Sequence, residues 1–307
     1  MNLKKITPII VTYKSNHLIK KCLKNLFFFK KVLILDNSND KQVFILKKKF
    51  KNISIFLSKK NLGFANGNNY LLKKVKTKYA LILSPDVFLT KSNIKDLSYF
   101  CKKFENKFSI FSFKDKKSKN YGFFKNKISK DFFNSNKNIL SVDFVFGCFM
   151  LIEKKIAKSV GYFDKNFFLY NEDLDFCERV LKKNKFKKIL LILSSKIKHL
   201  HAKSSDIGFE YNKCKNWHWM WSQFYYSKKK YGYFYSFLKY LPKLFTNFFK
   251  MSLFFLKNEK NKFYEKKMRF YGLICAYFLK KSFYRPFDKK TPRNFFLRVS
   301  DLFNFCI

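Results

Sequence analysis

Short apolar runs alternate with helix-spaced ones over the first 85 residues. TPIIVTY (7–13) is β-rich and apolar. In SNHLIKKCLKNLFFF (15–29), Leu18, Cys22, Leu23 and Leu26 recur at helical spacing behind Ser15 as a candidate cap. VLILD (32–36) reads as a buried strand ending in an acid, followed by a helix near 41–50 and the strand ISIFL (53–57). The turn-rich NLGFANGNN (61–69) leads into a helix running to Lys74, and YALILS (79–84) reads as a fourth strand. Strands alternating with helices predict an α/β fold with a mostly parallel central sheet, covered on both faces. Ligands of such sheets sit beyond the carboxyl ends of the strands. Asp36/Asn37, the Asn61–Asn69 loop and Asp86 all fall there.

Further on, residues 108–140 are rich in Lys, Asn and Phe and weakly patterned, and read as irregular. VDFVFGCFMLI (142–152) regains β character around Gly147, KILLIL (188–193) is another strand, and IKHLHAKSS (197–205) closes the first region. Beyond residue 206 the sequence is aromatic and basic together, which predicts two or three helices interrupted near Gly232 and Pro242. The boundaries are therefore 1–205 for an α/β domain and 206–307 for a basic, aromatic-rich helical extension.

Charge changes this picture less than its size suggests. The 307 residues carry 66 Lys+Arg against 20 Asp+Glu, a formal charge of +46, but only five of the basic residues are arginines. Arg supplies bidentate base and phosphate contacts, so its scarcity argues against a sequence-specific nucleic-acid reader. Two readings of the lysines stand: compositional drift, or an anionic partner, with membrane lipid ahead of nucleic acid. Seven scattered cysteines with no C-x-x-C pair suit reduced thiols in a cytoplasmic compartment. The first apolar stretch ends by Lys14 and leads into a strand pattern, which argues against a secretion signal. No uncharged apolar run is long enough for a transmembrane helix.

Against that basic background, Glu172, Asp173, Asp175 and Glu178 crowd into LYNEDLDFCERV (169–180). One reading is a helix N-terminus, with Asn171 as cap and acids complementing the macrodipole. The other is chemical. Asp36, Asp86, Glu172/Asp173 and His199 all follow strands or begin helices along one expected rim of the sheet. Carboxylates there suit a divalent cation, with Mn²⁺ also accepting imidazole, and a carboxylate beside an acceptor hydroxyl serves as general base. Transfer of a sugar from a nucleotide donor makes both demands. Taken singly, Asp36 also reads as a turn residue, Asp86 as a cap, and His199 or His201 as packed histidines.

The segments VTYK (11–14), DNSND (36–40), NLGFANGNN (61–69), SPDVFL (84–89), GCFMLI (147–152), GYFDKNFFLYNEDLDFCERV (161–180) and KHLHAKSS (198–205) resemble, in this order, those of glycosyltransferase family 2. They are most similar to its bacterial rhamnosyltransferase-type members, and YRPF (284–287) is similar to their tail. The resemblance implies a GT-A fold, an inverting hexosyl transfer and Mn²⁺ or Mg²⁺ as cofactor. By motif it implies donor-binding roles for Thr12, Tyr13, Asp36, Asn37, Asn61, Gly63, Phe64, Gly67, Asn68, Asp86 and Gly147. It further implies metal ligation by Asp86 and His199, with Asp173 of the Glu172–Asp173 pair as general base. Where many GT-A enzymes have Asp-x-Asp, this chain has Ser84-Pro85-Asp86, a single acid.

The implied partners are a nucleotide-sugar donor, rhamnose being favoured as the sugar, and a saccharide or lipid-linked saccharide acceptor in cell-surface polysaccharide synthesis. The basic aromatic extension, with Trp217, Trp219 and Trp221 close together, reads either as an interfacial surface on anionic lipid at the inner face of the cell membrane or as a helical layer packed on the first domain. A nucleic-acid-binding module and a non-catalytic scaffold that binds sugar nucleotides are the competing functions; the first of these leaves the acid cluster unexplained.

Overall fold

The computed structural model describes residues 2–118, 122, 138–184, 186–201, 204–205 and 207–287. The chain divides into two compact units, Met1–Asp206 and Ile207–Ile307.

In the first unit, β1 (Ile6–Thr12), β2 (Val32–Asp36), β3 (Ile53–Leu57) and β4 (Tyr79–Leu83) lie in the order β3-β2-β1-β4, all parallel. β2 and β4 are buried along their whole length, as expected for strands covered on both faces. The rest of the sheet is mixed. It is built from β5 (Val87–Phe88), β6 (Phe108–Asp115), β7 (Ile139–Val142), β8 (Phe149–Glu153) and β9 (Lys188–His199). β8 runs antiparallel to both β4 and β6, β6 is parallel to β9, and β5 and β7 pair antiparallel with β9.

The helices of this unit are α1 (Asn16–Leu23), α2 (Leu46–Lys49), α3 (Gly63–Lys74), α4 (Lys91–Lys103), α5 (Lys154–Ser159) and α6 (Glu172–Lys183). A core of aliphatic and Phe side chains, including Ile10, Ile34, Leu81, Leu97, Phe111 and Phe149, joins the sheet to its helices.

Several sequence expectations shift. The helix expected over 15–29 stops at Leu23, and Leu26–Phe28 form a 3-10 turn. Ser15 occupies the N-cap position without capping, because its hydroxyl bonds the Ser204 carbonyl instead. The helix near 41–50 is a 3-10 segment (Lys41–Ile45) followed by one α turn. Part of the segment read as irregular is β6, a fully buried strand. Its Ser109 and Ser112 interrupt the apolar pattern but bond the Lys187 and Phe149 carbonyls, so they are satisfied inside the core. Residues 119–121 and 123–137 of that segment lie outside those described.

In the second unit, α7 (Gly208–Tyr231), α8 (Tyr233–Leu256) and α9 (Lys260–Tyr277) pack on one another. Gly232 separates α7 from α8 as expected, whereas α8 continues through Pro242, which lies on its exposed side. Gly272 brings α9 hard against α7: a Cβ there would collide with the Trp217 carbonyl oxygen. Trp217 and Trp221 are buried in this core and stack on each other, so of the three tryptophans only Trp219 is exposed. Among the described residues no helix is long and apolar enough to cross a membrane.

Candidate active site

The parallel half of the sheet ends in a rim of loops. Thr12, the last residue of β1, donates from Oγ1 to Asp36 Oδ2 at 2.9 Å. The other Asp36 oxygen accepts from the Ser38 amide, the Ser38 hydroxyl and the Asp40 amide at 2.9, 2.6 and 3.1 Å. Asp36 is buried, and these bonds use its carboxylate to shape its own turn. The open space beside that turn is a cavity of about 460 Å³ lined by Lys14, Asn16, His17, Ser38 and Asp40. Its lining lies one to four residues beyond the positions the motifs pointed to, at the carboxyl ends of β1 and β2. Tyr13 belongs to the same rim, and its amide donates to Ser15 Oγ.

The asparagine- and glycine-rich run, read from sequence as a loop, is the first half of α3. Asn61 Oδ1 accepts from the Gly63 amide at 3.0 Å and turns the chain into the helix. Gly63 has φ +72°, and a Cβ there would meet the Phe168 carbonyl oxygen at 2.5 Å. Gly67 lets α3 sit on β1, where a Cβ would meet Val11 at 2.8 Å. Asn37 Nδ2 donates to the Gly63 carbonyl, and Asn68 Nδ2 donates to the Phe64 carbonyl. Asn66 and Asn69 donate to the carbonyls of Lys165 and Phe163, and Asn69 also accepts from the Phe163 amide. The run therefore clasps the 163–168 segment that delivers α6. Buried and without hydrogen-bond partners, the Asn37 and Asn68 Oδ1 atoms are acceptors left over from this packing.

Immediately after that segment, Tyr170 and Asn171 both adopt left-handed backbone, with φ +70° and +63°. For Tyr this conformation is costly. It turns the chain so that α6 begins with Glu172 and Asp173 directed inward. Asn171 holds the N-cap position, but its side chain makes no capping bond.

The four acids then divide. Asp175 pairs with Arg179 at 2.8 Å and Glu178 with Lys182 at 3.2 Å, both within the helix. Asp173 instead accepts from the Gly147 amide at 3.0 Å and the Leu174 amide at 2.9 Å. Burial raises its pKa from the ordinary value, partly offset by those amides. Glu172 is buried and its Oε2 lacks a partner. Burial, and then the charge of Asp173, push its pKa well above the usual carboxylate range.

Gly147 joins this acid pair to the second cluster. It faces the Phe64 ring so closely that a Cβ would meet it at 2.6 Å. The next residue, Cys148, accepts through its carbonyl from the Ser84 amide at 2.8 Å, at the end of β4. Beyond Ser84, Asp86 is 1% exposed, and its Oδ1 has no hydrogen-bond partner. Pairing of Val87 with His199 across β5 and β9 sets His199 Nε2 3.3 Å from Asp86 Oδ2. The other ring nitrogen, Nδ1, is 3.4 Å from Asp115 Oδ2, and His201 Nε2 is 2.9 Å from the same oxygen. Burial opposes charge on His199, but bonding to Asp86 and Cys148 and the charges of both outweigh it and lift its pKa to about 10.

These donors fit a divalent cation. Asp86 is a buried carboxylate with one oxygen unpartnered and the other facing a protonated imidazole, an arrangement in which a cation could displace the proton that His199 holds. Asp115, His199 and His201 also offer ligand atoms within 4.8 Å of one another. Asp115 escaped the sequence reading because it ends β6, in the segment read as irregular; its signal was an acid closing an apolar run, as at Asp36. His201, which the motifs did not assign to the metal, belongs to the cluster together with His199.

The family model described as Glycosyl transferase family 2 matches residues 7–161. Over 194 residues the chain is 25% identical to the low-salt glycan biosynthesis hexosyltransferase Agl10 of Haloferax volcanii, covering 58% of this chain and 62% of that protein. Over 202 residues it is 29% identical to the rhamnosyltransferase WbbL of Escherichia coli K12, covering 56% and 75%. The chain thus spans less than two thirds of the archaeal relative's length.

The mannosyltransferase PcManGT of Pyrobaculum calidifontis, solved with GDP-Man and Mn²⁺, superposes with a TM-score of 0.56 at 10% identity, covering 90% of this chain and 88% of that one. Staphylococcus aureus TarS 1–349 superposes with a TM-score of 0.52 at 14% identity, covering 94% and 98%. At such identities the likeness concerns the fold, which is GT-A with a helical C-terminal part. A family match across half of the chain establishes that this chain belongs to glycosyltransferase family 2.

Proposed function

We propose that the protein is an inverting hexosyltransferase that moves a sugar from a nucleotide-diphosphate donor to a saccharide or lipid-linked saccharide acceptor. The observation that carries this reading is the placement of Asp173. Its carboxylate is held by two main-chain amides, and one of these belongs to the turn that also borders the Asp86–His199 pair. A base held this way needs little reorganisation to reach an acceptor hydroxyl.

The cavity at Lys14, Asn16, His17, Ser38 and Asp40 is the proposed seat of the nucleoside, at the carboxyl ends of β1 and β2. Asn37, Asn61, Gly63, Gly67 and Asn68 support that side through the packing of α3. Asp86 and His199 would hold Mn²⁺ or Mg²⁺, with Asp115 and His201 completing the cluster. A divalent cation there supplies charge neutralisation for the diphosphate leaving group. Asp173 takes the proton from the attacking hydroxyl, and its raised pKa keeps it a stronger base than a solvated aspartate. Glu172 is buried next to it, and burial together with the charge of Asp173 favours its protonated form.

The names of the two relatives support a hexose donor and, for the bacterial one, rhamnose. A cytoplasmic enzyme on the inner face of the cell membrane, building surface polysaccharide, accords with the basic aromatic second unit. The test is a donor screen against a mixture of lipid-linked acceptors, with release of nucleoside diphosphate followed with and without Mn²⁺ or Mg²⁺. Saturable release with one donor, dependent on acceptor, is expected. Donor binding without release would overturn the transferase reading in favour of a non-catalytic scaffold.

A further inference from the structure

α8 is packed inside out. Among its 24 residues, those buried are Ser236, Tyr240 and Asn247. Ser236 Oγ bonds Ser227 Oγ at 2.8 Å, Tyr240 Oη donates to the Gln223 carbonyl, and Asn247 donates back to the Lys243 carbonyl. On the opposite side the largest apolar side chains face outward: Phe234 is 74% exposed, Phe249 65% and Leu256 81%, with Leu238 and Phe245 more than half exposed. At ~100° per residue, Phe234, Leu238, Phe245, Phe249 and Leu256 fall within an arc of about 60°, roughly opposite the buried polar residues. They form a stripe about 33 Å long at 1.5 Å per residue. Soluble proteins rarely leave a continuous apolar strip of this kind uncovered.

Charge on the same helix indicates what covers the strip. Lys239, Lys243 and Lys250 lie together along one flank, nearer the buried side than the stripe, with Lys239 and Lys243 over the Tyr240 ring, and residues 233–256 contain no Asp or Glu. Long lysine side chains beside an apolar strip can keep their stems in hydrocarbon and their ammonium groups among phosphates. The helix is not apolar enough to cross a bilayer, so the geometry suits one lying in the plane of the interface.

We infer that α8 is a lipid-docking helix, with the stripe Phe234–Leu238–Phe245–Phe249–Leu256 entering the acyl boundary of an anionic leaflet and Lys239, Lys243 and Lys250 meeting its headgroups. This deepens the membrane association in the proposed function and rests on it, but not on any step of sugar transfer.

The experiment is flotation of the full chain with phosphatidylcholine vesicles, with and without phosphatidylglycerol, at low and moderate salt, without donor or acceptor. The wild type should float with the anionic vesicles, less at higher salt. Phe245→Asn/Phe249→Asn should weaken flotation ~tenfold or more, as expected for two apolar side chains withdrawn from the interface. In a Phe249→Trp variant, lipids brominated on their acyl chains should quench the new fluorescence.

Failure of the wild type to float with anionic vesicles would overturn the inference. So would undiminished flotation of the double variant at an unchanged melting temperature. Concentration-dependent dimers lost in that variant, with no vesicle binding, would assign the stripe to a second copy of the chain. Nucleoside-diphosphate release is scored separately, so a floating but inactive protein counts against the transferase reading alone.

Discussion

α6 and α8 both reverse the usual arrangement of a surface helix, in opposite senses. α6 turns Glu172 and Asp173 inward, whereas α8 turns Phe234, Phe249 and Leu256 outward. Each reversal lowers stability in isolation, since burying carboxylates and exposing large apolar side chains both oppose folding. Local rules broken in this way tend to mark places kept for something other than stability. Their surroundings show the difference between them. Asp173 is held by two main-chain amides and α6 is preceded by two left-handed residues, a rigid setting for chemistry. Among the described residues the α8 stripe is left more than half exposed, a setting for a soft partner.

The strongest way to break this contrast is Asp173→Asn. It is expected to lower turnover by about 10²–10⁴-fold while donor binding persists, because a general base contributes on that scale. Rates and calorimetric donor binding measured together would decide it, and full turnover would return α6 to the status of an ordinary helix start.

Next in size is a pair of substitutions in the second unit. Leu273→Ala, at a fully buried position on α9, should cost about 2–5 kcal/mol. Phe249→Ala on α8 should stay within about 0.5 kcal/mol. Equal costs in denaturant titrations would show that the stripe is packed and not free.

Asp175→Asn tests the structural half of the acid cluster. Loss of its half-buried pair with Arg179 should cost about 1–3 kcal/mol while turnover per folded molecule is kept. A collapse of turnover comparable to that of Asp173→Asn would undo the division of the four acids.

The smallest effect is on pH dependence. Glu172 has a folded-state pKa above its ordinary value of 4.5, so the folded state binds the proton more tightly than the unfolded chain. Its contribution therefore favours folding below 4.5 and is lost as pH rises from there towards the raised value, with a slope of at most ~1.4 kcal/mol per pH unit. Glu172→Gln should remove that slope, and melting temperatures across the acidic range compared with wild type would show it.

The parallel half of the fold was legible because its strands are unbroken apolar runs, such as VLILD and YALILS, that need burial on both faces. β6 was missed because FSIFSFKD mixes Ser and Lys into its Phe residues, and the partners that satisfy the serines lie 37 and 78 residues away. The start of α3 was misplaced for a related reason. Gly63, Gly67 and the asparagines are poor helix formers, and only contact with Val11, Phe168 and the 163–168 segment makes them suitable there. Asp86 and His199 could be nominated from their positions after strands, but not brought within 3.3 Å of each other. That distance depends on the β5–β9 pairing, which no local pattern encodes. The acid cluster was visible as a cluster, while its division into two pairs required knowing where Gly147 and Arg179 lie.

The turn at Gly147 and Cys148 has a further consequence. One of its peptide groups grips the proposed base, and the carbonyl that follows grips the strand end leading to Asp86. The spacing between proton acceptor and cation cradle is thereby written into polypeptide scaffolding and not into rotamers. Neighbouring side chains are thus at liberty to diversify towards new sugars without disturbing that gauge.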